Sequence, residues 1–111
     1  MPAEIVTAVY KTKPGKEPEM RELLKKHVKA LRSSGLVTAR PRLLLRSKNA
    51  IYVEIFEWKD GAASAHAAHG HPEIGPVWES MGVVCDFTCL AELQESTERF
   101  PHFAPVDDLG A

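Results

Sequence analysis

The residues with the most chemistry lie between Ala50 and Gly82, in AIYVEIFEWKD followed by GAASAHAAHGHPEIGPVWESMG. That stretch holds both tryptophans and three of the five histidines. It also holds Glu54, the one acid whose strand position reads as buried. His66, His69 and Glu54 are the candidate catalytic groups. A histidine beside a bound phenol or hydroperoxide can carry a proton near neutral pH, with Glu54 or Tyr10 assisting. Burial without a cation would raise the Glu54 pKa and make it a general acid or base. The same residues allow plainer readings. Glu54 can pair with a lysine, an arginine or a partner subunit, or stay half-exposed on a splayed edge. The histidines can bind a metal, line a pocket or decorate an exposed Ala-rich helix. A zinc ion wants three or four ligands and a supporting second layer. The spacing H-x-x-H-x-H over His66, His69 and His71 matches no motif with that warrant, so no metal is assigned. Trp58, Phe56, Tyr52 and Trp78 are the apolar groups that would shape a cavity, with His27 reaching in from another element.

Those side chains need a scaffold, and the hydrophobic period supplies one. Residues 4–11, EIVTAVYK, alternate as a strand with apolar groups on both faces. Lys13-Pro14-Gly15-Lys16 is a turn. Residues 17–33 read as a helix with Met20, Leu23, Leu24, His27, Val28 and Leu31 on one stripe, and Gly35 as a left-handed cap. His27 within that stripe is either a core histidine bonded to a backbone carbonyl or a group aimed into a pocket. Residues 36–46 read as a second strand, with Pro41 at an edge or bulge. Asn49 is the positive-φ candidate of a hairpin turn. Residues 50–58 form the third strand. If Arg46 pairs near Ile51, then Leu43 and Leu45 flank Glu54 and Tyr52, while Arg40 and Arg42 lie near Glu57 and Ile55. Asp60 is a natural N-cap for a second helix, which breaks at Gly70 and His71-Pro72. A short apolar segment, 73–81, ends at Gly82. Residues 83–90 are the fourth strand. The tail, 91–111, has no period, but Phe100 and Phe103 are costly to leave in water. It should pack across the domain or onto a partner chain, with its last four or five residues mobile.

The bulk numbers bound the function. The chain has 111 residues, 44% hydrophobic and 26% charged, with net charge −1. It reads as one soluble domain spanning 1–111. Neither a nucleic-acid nor an acidic-membrane partner is expected from that charge. No apolar run nears the ~18 residues of a membrane span, and MPAEIV has no signal-peptide shape, so the expected location is cytoplasmic. Cys85 and Cys89 read as small buried residues.

The order β-α-β-β-α-β closes, with right-handed crossovers, into a ferredoxin-like α+β fold with a four-stranded antiparallel sheet and both helices on one face. The opposite face stays apolar and needs a cover, most simply the same face of a second copy in a homodimer. Over residues 4–93 the pattern resembles the dimeric α+β barrel superfamily, and within it the antibiotic-biosynthesis-monooxygenase-like domains. The carriers are the opening strand with KPGKEPEMRELLKKH and the stretch FEWKDGAASAHAAHGHPEIGPVWESMG. The resemblance implies a pocket between sheet and helices and cofactor-independent oxygenation of a phenolic or quinol-like ligand. Similar haem-degrading proteins use an Asn on the first strand. EIVTAVYK has none although Trp58 sits suitably, so no cofactor is assigned. Two functions follow: a small monooxygenase acting on an aromatic metabolite, or a non-catalytic ligand-binding or assembly module on the same scaffold.

Overall fold

The structure is a computed structural model that describes residues 2–111. Strand β1 spans Glu4–Thr12 and helix α1 Glu17–Ser34. Strand β2 is Leu43–Arg46 and β3 is Ile51–Trp58. Helices α2, Ala62–His69, and α3, Ile74–Val84, lead to β4, Cys85–Thr88. A short β5, Ala104–Pro105, follows. The result is an α+β fold with one five-stranded antiparallel sheet in the order β4-β1-β3-β2-β5.

Helix α1 forms where its pattern requires. Glu17 and Glu19 occupy the first turn, and Gly35 closes the helix at φ 74°. Met20, Leu24, His27, Val28 and Leu31 are buried. Asn49 takes φ 61° in the turn before β3, as its side chain allows. Val6, Ala8 and Tyr10 of β1 share the packed face with Tyr52, Glu54, Phe56 and Trp58 of β3, their antiparallel partners.

Several elements depart from the sequence reading. Strand β2 is shorter than 36–46. Only Val37, bridging to Trp58, joins the sheet before Leu43, and Pro41 lies outside the strand because it has no N–H for a ladder. The β2–β3 register is shifted by one. Arg46 pairs with Tyr52 and Leu44 with Glu54, which turns Leu44 to the packed face. Leu44 is buried and Leu43 is 49% exposed. Gly61, at φ 53°, takes the N-cap position of α2 instead of Asp60. A Cβ there would collide with the Glu4 carboxylate. Helix α3 runs through Gly82 to Val84, so β4 starts at Cys85. Cys85 is buried, but Cys89 is exposed.

The tail packs across its own domain. It adds the fifth strand to the expected four, and β5 pairs with β2. Leu93 and Phe103 join Val9, Ile51 and Val53 under the face opposite the helices. Val106 and Leu109 join the main core with Tyr10, Leu24 and Leu44. The final residues are tied rather than loose: Arg42 donates to the carbonyls of Leu109 and Gly110, and Arg32 to that of Ala111. The face assigned to a second copy is therefore covered in part by the chain itself. Ile5 and Leu43 remain 57% and 49% exposed on it.

Among the described residues, no helix is long and apolar enough to cross a membrane.

Candidate functional site

Side chains from β1, α1 and the segment just before β2 converge on Glu54. It stands in the middle of β3, opposite Ala8 of β1 and Leu44 of β2. Its side chain is fully buried. The Tyr10 hydroxyl donates to Oε1 at 2.6 Å. Arg42 Nη1 donates to Oε2 at 2.8 Å. His27 Nδ1 lies 2.8 Å from Oε1 and 3.0 Å from Oε2. On the far side of the imidazole, Trp78 Nε1 donates to His27 Nε2 at 2.9 Å.

The network fixes the proton positions. An indole N–H only donates, so His27 Nε2 must accept. Nδ1 then carries the hydrogen, pointed at Glu54. This tautomer is assigned by the hydrogen bonds on either side of the ring. Tyr10 likewise commits its hydroxyl proton to the carboxylate.

Burial alone would raise the Glu54 pKa, but His27, Arg42 and the Tyr10 hydroxyl together outweigh it and hold the carboxyl below its usual range. Of the two sequence readings of Glu54, the structure has the carboxylate paired with an arginine, and the condition for a raised pKa, burial without a cation, is not met. Burial and then the neighbouring Glu54 charge push the Tyr10 phenol well above its ordinary value. Arg42 is buried too and also donates to the carbonyls of Leu24, Leu109 and Gly110. Its guanidinium thus satisfies carbonyls of α1 and of the tail as well as the carboxylate, while its Nε–H has no hydrogen-bond partner among the described residues.

Beside this network lies a cavity of about 510 Å³. Val6, Ala8 and Tyr10 of β1, Phe56 and Trp58 of β3, and His27 of α1 form its floor and wall. Ala65, His69, Trp78, Glu79 and Phe87 complete the lining. The rings interlock edge to face. Phe56 and Trp58 centroids are 4.8 Å apart, as are those of His69 and Trp78. Small residues at Ala8 and Ala65 leave the space open. A larger hollow of about 610 Å³ lies between Glu17, Arg21 and Asp108, but its walls are mostly charged surface side chains.

Of the residues singled out from the sequence, Phe56, Trp58, Trp78, His27 and His69 line the cavity. Glu54 lies behind its floor. His27 bonds side chains at both nitrogens, not a backbone carbonyl. His66 is exposed on α2 and does not line the cavity. Tyr52 does not line it either: its hydroxyl donates to Glu17 at 2.6 Å, in the first turn of α1. His71 Nδ1 accepts from the Glu73 backbone N–H. Among the described residues, no three His, Cys, Asp or Glu side chains stand close enough together to hold a metal ion.

The sequence reading missed Arg42 as the partner of Glu54, because the assumed register sent it to the opposite face. Leu43-Leu44-Leu45 gives no alternation from which to choose between registers. A buried acid in need of a cation, with an arginine next to a strand-ending proline, was the available signal.

No protein-family model, curated protein or solved structure matches this chain. The cavity and its network therefore carry the functional reading alone.

Proposed function

We propose that this chain is a small cofactor-independent oxygenase, built as a ferredoxin-like protomer of a dimeric α+β barrel, that acts on a flat phenolic or quinol-like compound in the aromatic cavity. The observation that supports it most is His69. It lines the cavity against Trp78 and has no hydrogen-bond partner among the described residues, so its imidazole is available to take a phenolic proton. Deprotonation makes the ring electron-rich enough to reduce dioxygen. One oxygen atom enters an unsubstituted ring carbon, opposite the hydroxyl of a phenol or next to one in a quinol, and the other leaves as water. The phenol supplies all four electrons and becomes a quinone, so the step needs no external reductant. Phe56, Trp58 and Trp78 would hold the ring and exclude water.

The second reading, a non-catalytic binding or assembly module, is favoured by one feature. His27 Nε2, the more deeply placed base, is already occupied by Trp78. Oxygen uptake decides between the two. Purified protein is mixed with a series of naphthols and hydroquinones under labelled dioxygen. The enzyme reading expects one labelled atom in the product and a rate reduced at least tenfold in His69→Ala. Uptake no faster than the buffer control with every compound would leave only the binding module. The dimer is tested separately by sedimentation, in which Ile5→Lys with Leu43→Lys should shift the protein to monomer.

A further inference from the structure

We propose that Glu54 and His27 are positioning residues of the cavity: the carboxylate selects the His27 tautomer that accepts from the Trp78 indole, and the indole so anchored is the surface on which the His69 imidazole is held. This rests on the reading of His69 as the base that takes the phenolic proton, and adds what fixes that base in place.

His69 cannot hold itself. It is exposed, in the last turn of an eight-residue helix whose buried side chains are Ser64 and Ala68. Its imidazole has no hydrogen-bond partner among the described residues. The ring it packs against is Trp78, edge to face with centroids 4.8 Å apart. Such a contact orders an exposed side chain only as well as the partner ring is itself ordered. Trp78 is half-buried in α3 and packs against both core clusters on the helix side of the sheet. Apolar packing has no direction. The hydrogen bond from its Nε1 to His27 Nε2, at 2.9 Å, is what fixes the heading of the indole.

That bond exists in one tautomer of His27 only. With the hydrogen on Nε2, two N–H groups would face each other and the indole would have to turn away. The choice is made on the other side of the ring. Glu54 is ionised and only accepts, so Nδ1 keeps the hydrogen. Glu54 is in turn held still: it is fully buried, Tyr10 donates to Oε1 at 2.6 Å and Arg42 to Oε2 at 2.8 Å. The contacts thus run from Glu54 through His27 and Trp78 to His69, from the middle of the sheet to the end of α2. Water would satisfy His27 Nε2 as well. Bonding it to an indole in the cavity wall instead ties that wall to the sheet.

The test uses two substitutions that divide the functions of His27. His27→Asn places an amide near the position of Nδ1, which keeps a donor for Glu54 but gives the indole no acceptor. His27→Gln reaches the position of Nε2 and keeps that acceptor. The first readout is nuclear magnetic resonance of the purified protein without ligand. Nitrogen–proton correlations should show His27 protonated at Nδ1 in the wild type. The His69 ring-proton shifts, displaced by the indole ring current, should move toward those of exposed His66 in His27→Asn and stay in place in His27→Gln. The second readout is oxygen uptake with the fastest of the naphthols and hydroquinones. There kcat should fall about tenfold in His27→Asn, yet less than about twofold when the same change is added to His69→Ala, because the effect is exerted through His69. A role in stability alone would give the same loss in both backgrounds. If His27→Asn does not fold, Trp78→benzothienylalanine, an isostere without the N–H, replaces it in both readouts. Unmoved His69 shifts, His27 protonated at Nε2, or equal losses in the two backgrounds overturn the positioning role and leave the oxygenase reading standing. The expected shifts together with no oxygen uptake by the wild type would sink the oxygenase reading and leave Glu54 and His27 as the groups that position the cavity wall.

Discussion

Two regions of this molecule are rich in titratable side chains, and they behave in opposite ways. His66, His69 and His71 crowd into six residues of sequence at the end of α2. Yet His66 is exposed, His71 turns to a local backbone N–H, and only His69 faces the cavity. Tyr10, His27, Arg42, Glu54 and Trp78 are scattered over most of the chain, and they form one buried network. The contrast has a simple cause. Neighbours on one short surface helix splay around its axis into water, where each is solvated on its own. Groups from separate elements meet only by leaving water together, and each must then find a partner.

The sharpest way to break that contrast is to remove the cation from the buried network. Arg42→Met leaves Glu54 uncompensated and strips the Leu24, Leu109 and Gly110 carbonyls of their donor. Urea denaturation at neutral pH should show a loss of about 3–5 kcal/mol. A loss below about 1 kcal/mol would place this pair with ordinary exposed ones.

Acid titration of stability sharpens the same point. The Glu54 pKa is lowered on folding, so its contribution is fully present above the unfolded carboxylate value of about 4.3 and is lost as pH falls toward the folded value. Glu17 is lowered as well, by Arg46 and Tyr52, and acts in the same direction. Denaturation midpoints measured from neutral pH down to pH ~3 should fall, and more shallowly in Glu54→Gln. An equal slope in both proteins would remove Glu54 as a cause.

Trp78→Phe should cost about 1 kcal/mol, since it deletes one hydrogen bond and leaves His27 Nε2 facing a cavity that water can enter. Thermal unfolding measures it. The smallest effect belongs to the other region. His66→Ala should change stability by less than about 0.5 kcal/mol and leave ligand affinity unaltered, whereas His69→Ala should be equally stable but impaired in turnover. A large stability change in His66→Ala would mean that α2 carries more of the fold than its exposure indicates.

The elements themselves were readable in the chain. Alternation in EIVTAVYK and IYVEIFEW, the apolar stripe from Met20 to Leu31, the Gly35 cap and the Asn49 turn all follow from local periods and backbone preferences. So did the aromatic character of any cavity beside β3, because alternation puts Phe56 and Trp58 on the same face as Glu54. The partner of Glu54 was not readable. It depends on a one-residue register choice that three successive leucines leave open, and that choice moves every side chain of β2 to the other face. The fate of the tail was also undetermined: of the two phenylalanines expected to leave water, Phe103 packs against Val9, Ile51 and Val53, whereas Phe100 is 77% exposed. Tertiary structure decided both matters together. Once Leu44 faced the core, Arg42 could reach Glu54, and the backbone carbonyls at the end of the tail supplied the remaining acceptors for its guanidinium. A buried charge needs partners from wherever the chain can bring them, and sequence order does not record which parts of the chain those will be.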